Sequence, residues 1–507
     1  MLQQPDSLPL DNRPALIVGA GIAGMAAALH LAELGLPVAL LDTAPTIGGA
    51  MHLLDHTFPT NSCGLCLMLP RQPALCPTFE CQLHPNLTLL PYAELTNLTP
   101  NPCPESVEGP RAFTATIRHK ARFVDPNKCN ACGECAPVCP IPRPHDYEGW
   151  LSPGKAIYPP PGLRSVPDSW TIDMDYCTRC GLCVQACPTA AVDLDMQDHL
   201  QTLHPGAVLL TPGFAPFDAR LKGEYGYQVY DNVLSALEFE RMVSLAGSSV
   251  AHLQRPSDGS KPNRLAFIHC VGSRDPLCGA GHCSSACCMF TAKQIALAKQ
   301  LDPDLDVTVF FMDLRAFGKD FEAYIDSVQH LPGVTYRRAM PSAVYQQQQS
   351  KDLLVSFVGE DARLHEQSFD LLVLATGFAP PLGMQHLART LGVQLNDFGF
   401  ARSDPYHPTH SSQPGIFLAG AFREPKDIPD TVAEATAAAA QLAAFLQLNG
   451  HAAAPGPSTG SGHGPSAPLR TDPHVSRDVS DEESRVGVFV CDCNGELEPL
   501  GIAQLAA

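Results

Sequence analysis

Eight of the 20 cysteines stand in two runs of identical spacing, and each run ends in Cys-Pro. The runs are Cys129-x-x-Cys132-x-x-Cys135-x-x-x-Cys139-Pro140 and Cys177-x-x-Cys180-x-x-Cys183-x-x-x-Cys187-Pro188. Thiolates at this spacing bind 4Fe–4S clusters, and the fourth cysteine of each run serves the cluster of the other run. We therefore predict one cluster on Cys129, Cys132, Cys135 and Cys187, and a second on Cys177, Cys180, Cys183 and Cys139. Such clusters carry electrons, so the chain is expected to transfer them.

A third group of cysteines lies further along the chain, at the start of a helical stretch. Its members are Cys270, Cys283, Cys287 and Cys288. Adjacent cysteines do not comfortably bond to each other, which disfavours a disulfide, and four thiolates suit iron well. The group is expected to hold a third 4Fe–4S cluster, with buried unliganded cysteines as the alternative. Cys278 has no assigned role.

Two shorter cysteine pairs stand near the ends of the chain, Cys63 with Cys66 and Cys491 with Cys493. Cys63 and Cys66 could form a redox disulfide beside a flavin. Alternatively, the two pairs together supply four thiolates for a fourth cluster, because each is an incomplete half-site alone. The remaining cysteines without ligand spacing are Cys76, Cys81 and Cys103, which are expected to be bystanders.

A glycine pattern near the N-terminus predicts a dinucleotide site. Gly19-x-Gly21-x-x-Gly24 lies between an apolar run and a helical stretch. The first glycine permits a tight turn, the second lets backbone approach the pyrophosphate, and the third allows close helix–strand packing. Asp42 ends the next strand, about 20 residues on, where an acidic residue hydrogen-bonds a ribose hydroxyl.

Three further features favour FAD over NAD as the dinucleotide. Gly48 and Gly49 follow the acidic strand end, as in flavoprotein disulfide reductases. The run 371–377 ends in Thr376 and Gly377, like a strand and turn that recur in those enzymes. The run 414–420 ends in Gly420 and resembles the late strand that approaches the flavin, although Ala421 stands where that motif usually has Asp.

Reductases of this kind carry a second glycine fingerprint for NAD(P)H, expected here after the apolar run 265–269. The sequence from Cys270 to Arg274 instead reads Cys-Val-Gly-Ser-Arg, and no second Gly-x-Gly-x-x-Gly follows. We therefore expect that a pyridine nucleotide does not bind in the usual way.

Short apolar runs alternate with helical stretches along most of the chain. The runs are 15–18, 38–41, 207–210, 265–269, 307–311, 371–374 and 416–418, and the helical stretches are 23–34, 236–244, 286–299 and 431–446. Such alternation is typical of parallel sheets covered by helices. The paired cysteine runs interrupt it and indicate an inserted domain. We predict an α/β flavoprotein scaffold with two dinucleotide-type domains, like thioredoxin reductase, and an inserted α+β ferredoxin domain of the bacterial two-cluster type.

The expected domains follow from these changes in pattern. Residues 1–122, 199–235 and 361–448 are assigned to the FAD-binding domain, 123–198 to the ferredoxin insert, and 236–360 to a degenerate second nucleotide domain with a cluster site. Residues 449–485 are rich in Gly, Pro, Ser and Ala and read as a flexible linker. Residues 486–507 read as the start of a truncated cluster-binding module.

Composition narrows the class of protein. The 507 residues are 45% hydrophobic and 17% charged, which are globular values. The formal net charge of -19 argues against nucleic acid and anionic membrane as partners. We find no secretory signal, and glycines, His30 and Glu33 interrupt the apolar run 15–36, which argues against membrane insertion. A reduced, cytoplasmic setting is expected.

Several segments outside these motifs carry a family resemblance. They are residues 57–66, 225–232, 237–241, 270–274 and 425–431, and they resemble the A subunit of heterodisulfide reductase from about residue 15 to 446. The family also includes the A subunit of the quinone-interacting membrane-bound oxidoreductase. The resemblance implies a flavin hub that receives electrons from a hydrogenase or formate dehydrogenase and bifurcates them between ferredoxin and disulfide-reducing B and C subunits.

The resemblance also implies roles for individual residues. Cys270, Cys283, Cys287 and Cys288 match the ligands of the cluster nearest the flavin. Lys293 matches a lysine near the flavin ring, where a cation stabilises reduced, anionic flavin. A solvated helix lysine is the alternative from the residues alone.

Members of the family often begin with a cluster-bearing domain and end with a second ferredoxin domain, and we expect neither in this sequence. Residues 486–493 resemble the beginning of that N-terminal domain, so we expect a fragment of a fused or duplicated protein, or a natural truncation. Three alternatives to bifurcation follow: a simple electron relay, an NAD(P)H-dependent flavoprotein disulfide reductase, and a structural component of an assembly without turnover.

Overall fold

The computed structural model describes residues 13–54, 57–58, 76–101, 112–145, 149–160, 165–244 and 252–451. The strands, in chain order, are β1 (Ala15–Val18), β2 (Val38–Asp42), β3 (Leu87–Pro91), β4 (Ala93–Pro100), β5 (Phe113–His119), β6 (Pro142–His145), β7 (Gly149–Lys155), β8 (Ile157–Tyr158), β9 (Thr171–Ile172), β10 (His199–Leu203), β11 (Ala207–Leu210), β12 (Ala215–Pro216), β13 (Val233–Ser235), β14 (Arg264–Val271), β15 (Asp306–Phe311), β16 (Val334–Arg338), β17 (Pro341–Gln346), β18 (Leu353–Val358), β19 (Leu364–Phe369), β20 (Leu371–Thr376), β21 (Phe378–Ala379) and β22 (Ile416–Leu418). The helices are α1 (Ile22–Glu33), α2 (Pro77–Leu83), α3 (Leu182–Ala186), α4 (Ala236–Val243), α5 (Cys287–Leu301), α6 (Phe321–Gln329), α7 (Met384–Leu391) and α8 (Ile428–His451).

The first parallel sheet has the strand order β22-β11-β1-β2-β3. Its central strands are apolar throughout because both of their faces are covered, as parallel sheets require. Alanine-rich faces of α1 and α8 pack on one side. The antiparallel sheet β10-β5-β4 and the helix α7 cover the other side.

The second parallel sheet has the strand order β13-β20-β14-β15-β16. Helices α4, α5 and α6 cover one face, and the antiparallel sheet β17-β18-β19 covers the other. The two sheets therefore repeat one design, with helices on one side and an antiparallel sheet on the other. This confirms the predicted α/β class with two dinucleotide-type domains.

The segment with the paired cysteine runs leaves and returns to the antiparallel sheet at neighbouring points. His119 of β5 lies opposite His199 of β10, so residues 120–198 connect two paired strands. The segment has its own small core, which includes Val124, Ile157, Ile172 and Val192. An insertion of this kind is what the sequence predicted.

The insert is also hydrogen-bonded to the loop that follows β2 of the first sheet. Val166 accepts a hydrogen bond from the Ile47 N–H at 3.0 Å, and its own N–H donates to Thr46 Oγ1 at 2.7 Å. Arg122, which is buried, donates to the carbonyl of Pro45. The loop after β2 is thus held on one side by the insert.

Three strands lie in sheets other than those their domain assignment implies. β13 falls within residues 199–235, and β19 and β20 fall within 361–448, both of which we assigned to the FAD-binding domain. β20 nevertheless pairs with β13 and β14 in the second sheet, and β19 pairs with β18 in the antiparallel sheet that covers it. The reason is that β20 is buried along its whole length at the middle of that sheet, where an apolar strand is required. The other domain limits stay predictions.

Among the described helices, none combines the length and the apolar character needed to cross a bilayer.

Candidate functional site

The glycine turn after β1 combines two packing requirements with one open position. A Cβ on Gly19 would lie 2.2 Å from the Thr211 carbonyl oxygen, and a Cβ on Gly24 would lie 1.9 Å from the Gly19 carbonyl oxygen. Among the described residues other than its two chain neighbours, no atom lies within 4 Å of the Cβ position of Gly21, which is the N-cap of α1. The space in front of Gly21 therefore suits a ligand, and the helix N-terminus there favours an anion.

Asp42 fastens the glycine turn to the end of β2. Its carboxylate accepts hydrogen bonds from the backbone N–H groups of Ala20 at 2.6 Å and Ala44 at 2.8 Å. Burial raises the pKa of the Asp42 carboxyl, against these two backbone groups, which lower it. Asp42 thus shapes the turn itself, a role that the sequence did not suggest, and its ribose contact stays a prediction.

Three more predicted glycines approach the start of α1 from other segments. Gly48 donates its N–H to the Ala20 carbonyl at 2.8 Å, and a Cβ on Gly49 would lie 2.9 Å from the Gly21 Cα. A Cβ on Gly420 would lie 3.0 Å from the Ala23 Cβ. Backbone from these segments therefore lies close to the open position at Gly21. This arrangement fits a long, thin ligand such as a dinucleotide.

Thr376 and Gly377 lie at a different place, at the end of β20 in the second sheet. A Cβ on Gly377 would lie 2.6 Å from the Gly272 carbonyl oxygen and 2.7 Å from Ser284 Oγ. The strands β12 and β21 pair just beyond, and Phe214 stacks on Phe378 with ring centroids 3.8 Å apart. β12 follows β11 of the first sheet and β21 follows β20 of the second, so we call the β12–β21 pair the crossing between the sheets. The structure thus brings Gly377 close to the third cysteine group and to this crossing.

A carboxylate reaches Gly420 from a helix that the motif does not include. Glu434 of α8 accepts the Gly420 N–H at 3.1 Å and forms ion pairs with Arg423 and Lys426. The usual motif would place an aspartate at position 421, where this chain has alanine. Sequence reasoning missed Glu434; its only signal was an acidic residue two turns into the apolar helix α8.

The four cysteines of the third group lie together where β14 ends and α5 begins. The register of β14 shifts between Ile268 and Val271, and Cys270 has a φ of 59°. This bulge turns Cys270 out of the ladder, toward Cys287 and Cys288 on the first turn of α5.

Each thiol of the third group is near the other three. Burial and then the neighbouring Cys288 thiolate raise the pKa of Cys270 to about 12, with Cys283 adding to the effect. Burial, Cys288, Cys270 and Cys283 likewise raise the pKa of Cys287. Converging thiols resist ionisation unless a cation balances them, so this donor set suits a positively charged iron–sulfur core.

Other contacts orient the sulfur atoms of this group. The Arg315 N–H donates to Cys288 Sγ at 3.4 Å, and His269 Nδ1 lies 3.9 Å from the same sulfur. Burial lowers the pKa of His269 to about 4. Cys278 lies apart from the group, with its thiol 3.5 Å from an Asp275 carboxylate oxygen.

The paired runs line two cavities in the insert, and the lining follows the exchanged assignment. One cavity, of about 290 Å³ including its open side, is lined by Cys129, Cys132, Cys135 and Cys187. The other, of about 320 Å³, is lined by Cys177, Cys180, Cys183 and Cys139. The fourth cysteine of each run faces the cavity of the other run. The sets and the spaces between them fit two clusters.

Within the described residues, no three or more His, Cys, Asp or Glu side chains converge as they would around a single metal ion. A 4Fe–4S cluster differs from a single ion because its four thiolates bind different iron atoms, at separate corners of a cube. No two of the described cysteines form a disulfide. Cys63, Cys66, Cys103, Cys491 and Cys493 lie outside the described residues. Cys81 is fully buried against α1, and Cys76 caps α2.

Lys293 is buried and paired rather than solvated. Its ammonium forms an ion pair with the Glu240 carboxylate of α4, and the two side chains are 3% and 1% exposed. Gln294 Nε2 donates to the same Glu240 oxygen at 3.1 Å. The plain alternative of an exposed helix lysine therefore does not describe this residue, and its nearness to a flavin stays a prediction.

The buried pair gives a stability prediction. Glu240→Gln should destabilise the chain by about 3–5 kcal/mol, because it leaves the Lys293 ammonium buried without its counter-charge. Adding Lys293→Met should recover much of this loss. Urea unfolding of the single and double variants measures both values. Equal losses in Glu240→Gln and in the double variant would contradict the account.

Two parts of the chain match known domain families. Residues 128–191 match a 4Fe-4S dicluster domain, and residues 17–65 match an NAD(P)-binding Rossmann-like domain. The chain is 41% identical over 444 residues to the iron-sulfur A subunit of the CoB–CoM heterodisulfide reductase of Methanocaldococcus jannaschii, covering 86% of this chain and 65% of that protein. It is 38% identical to the A subunit of the H2/formate:CoB-CoM heterodisulfide,ferredoxin reductase of Methanococcus maripaludis, covering 85% and 64%.

A third relative is the A subunit of the ferredoxin:CoB-CoM heterodisulfide reductase of Methanosarcina mazei, 36% identical over 86% of this chain and 53% of that protein. The chain spans less than two thirds of the length of each of these three relatives. Among solved structures, thioredoxin reductase of Lactococcus lactis aligns at a TM-score of 0.45 and 13% identity, over 86% of this chain and 99% of that one.

Proposed function

The chain belongs to the family of the heterodisulfide reductase A subunit, and we propose that it is an electron-transfer component of an oxidoreductase, containing FAD and 4Fe–4S clusters. The observation that carries the proposal is that one chain combines a dinucleotide turn with an open position at Gly21 and three groups of four cysteines. Two of these groups line cavities, and the third lies where the second sheet would otherwise carry its nucleotide turn.

FAD, when bound, supplies the exchange between two-electron and one-electron chemistry. The residues proposed to hold it are Gly19, Gly21, Gly24, Asp42, Gly48, Gly49 and Gly420, with Thr376 and Gly377 at the crossing between the sheets. Gly21 leaves room for the pyrophosphate, and the N-terminus of α1 offers it unpaired N–H groups. Beside Gly420, Arg423 and Lys426 form ion pairs with Glu434 and Glu424, which fix the position of the Glu434 carboxylate. These residues bind and orient the dinucleotide.

Three clusters are proposed on the sets described above, with a fourth on Cys63, Cys66, Cys491 and Cys493 as a further proposal. The third group lies beside Gly377, close to the crossing between the two sheets. That arrangement supports an electron-transfer path from the dinucleotide site to the clusters of the same chain. Lys293 is proposed to act on the flavin electrostatically.

The finer function rests on the names of the relatives. Those names mention H2 or formate, ferredoxin and CoB-CoM heterodisulfide. We propose that this chain works in the cytoplasm with B and C subunits, with ferredoxin and with a hydrogenase or formate dehydrogenase donor. Flavin-based bifurcation between ferredoxin and a disulfide is the proposed activity, and a simple relay is the runner-up. An NAD(P)H-dependent reductase is disfavoured because cysteines replace the glycine fingerprint after β14.

Purification of the native complex with potentiometric titration of its flavin tests the proposal. Bound FAD and co-eluting donor and disulfide-reducing subunits are expected. Crossed one-electron potentials would support bifurcation, whereas a stable neutral semiquinone over a wide range would reduce the function to a relay. Rapid bleaching of the flavin by NADH alone would instead favour the self-contained reductase.

A further inference from the structure

His269 is a buried imidazole on the strand that leads into the third cysteine group. It is 0% exposed and lies on β14 directly before the bulge at Cys270. Leu265 and Phe267, four and two residues earlier on the same strand, pack in the core that also contains Cys288. Because strand side chains alternate between faces, His269 faces the helix α5 that carries Cys288.

One ring nitrogen of His269 has a partner and the other does not. Nδ1 lies 3.9 Å from Cys288 Sγ, whereas Nε2 is buried and has no hydrogen-bond partner among the described residues. A neutral imidazole carries one proton, and a proton on Nε2 would leave that buried N–H without a partner and turn the Nδ1 lone pair toward the thiolate. The proton therefore belongs on Nδ1, where it points at the sulfur.

Resting on the proposed cluster at Cys270, Cys283, Cys287 and Cys288, we propose that His269 is a positioning residue that donates its Nδ1–H to the Cys288 thiolate and raises the reduction potential of that cluster. A hydrogen bond to a ligand sulfur stabilises the more negative, reduced state more than the oxidised state. The Arg315 N–H, 3.4 Å from the same sulfur, acts in the same direction, so a side-chain donor and a backbone donor meet at Cys288.

Because the His269 donor belongs to a side chain, a substitution can remove it, whereas the backbone N–H of Arg315 stays in every variant. Asparagine at position 269 keeps an N–H donor bonded to Cγ, as His Nδ1 is, whereas leucine removes the donor and keeps apolar bulk. Thr308, buried on the neighbouring strand β15, lies on the opposite face of the sheet by the same alternation. Thr308→Val is therefore a matched control that removes a buried hydroxyl away from Cys288.

The test is an EPR-monitored redox titration of the full chain with its clusters reconstituted. The signal of this cluster is identified as the one that Cys270→Ala removes, together with about four iron atoms per chain. In His269→Leu, the ratio of reduced to oxidised cluster at a fixed potential should fall about tenfold, a shift of about 59 mV for one electron. His269→Asn and Thr308→Val should titrate close to the unmodified chain.

Two results would overturn the inference in distinguishable ways. If Cys270→Ala removes neither a signal nor iron, the proposed cluster itself is absent and both proposals fall. If the signal is present but His269→Leu titrates like the unmodified chain, or His269→Asn shifts as far as His269→Leu, only the role of His269 is wrong. Because the readout is a potential of a folded, cluster-loaded chain, a general loss of stability does not imitate it.

Discussion

Replacing Gly21 with alanine is expected to weaken FAD binding at least about tenfold, or about 1.4 kcal/mol, while the apo protein keeps its stability to within about 1 kcal/mol. Gly21 has φ -74° and ψ -168°, a backbone conformation that alanine adopts without strain, and a Cβ there meets no atom of the described residues within 4 Å beyond its chain neighbours. The methyl group would instead occupy the space proposed for the pyrophosphate. Flavin content after purification and calorimetric titration of the apo protein with FAD measure the effect.

Gly24→Ala is the matched comparison, since it adds the same methyl group three residues later. There the Cβ would lie 1.9 Å from the Gly19 carbonyl oxygen, so the helix α1 must move away from the turn. Overpacking of this kind costs about 1–3 kcal/mol or more, and FAD should be lost together with stability. Full FAD retention in Gly21→Ala would contradict the proposed site, and loss of stability in that variant would contradict the open position.

Exchanged cluster ligation gives the second large expected effect. Cys129 and Cys187 lie on different runs but line one cavity. Replacing either one with alanine should therefore remove the same cluster and about four iron atoms per chain. Combining them should remove no more than either alone. Cys129→Ala combined with Cys139→Ala, which lie on the same run, should remove both clusters and about eight iron atoms.

Iron and labile sulfide assays, with EPR of the reduced protein, distinguish these patterns. Cys278→Ala is a control of the same kind, because its thiol lies beside Asp275 and outside the cysteine groups. Additive losses in Cys129→Ala with Cys187→Ala would show that each run keeps its own cluster. Unchanged iron in every variant would show that the insert binds no cluster.

The sequence predicted the parallel strands closely because those strands are apolar on both faces. The runs 15–18, 207–210 and 416–418 coincide with β1, β11 and β22. The helical stretch 286–299 corresponds to α5, which starts one residue later and extends two residues further. A strand that is buried on both faces needs apolar residues at every position, so it can be recognised from its own sequence without knowing which strands it pairs with.

The antiparallel sheets were not predicted, and the reason is physical. β5 has an alternating pattern of buried and partly buried residues, with Thr114, Thr116 and Arg118 on its open side. β18 pairs with β17 and β19 across sequence that contains few long apolar runs. Half-buried strands of this kind share their pattern with many exposed segments, and their pairing depends on contacts distant in sequence.

The site was predicted in part. Spacing alone indicated the cysteine sets and the glycines, because ligand geometry and backbone approach constrain residues that are near in sequence. Contacts between distant elements had no such signal. Three contacts of the site join separate elements. They are the hydrogen bond from the Gly420 N–H to Glu434, the hydrogen bond from the Ala20 N–H to Asp42, and the contact between His269 and Cys288. These contacts needed the tertiary structure.

The hydrogen bonds of Val166 with Thr46 and Ile47 have a consequence for assembly. They tie the insert to the loop that carries Gly48 and Gly49, so ordering the insert restricts that loop before any ligand arrives. A ligand that needs the loop ordered then has less conformational entropy to lose. Coupling between two sites is reciprocal, so a dinucleotide in the loop favours the ordered insert as much as the insert favours the dinucleotide. Maturation can therefore begin with either cofactor and reach the same state.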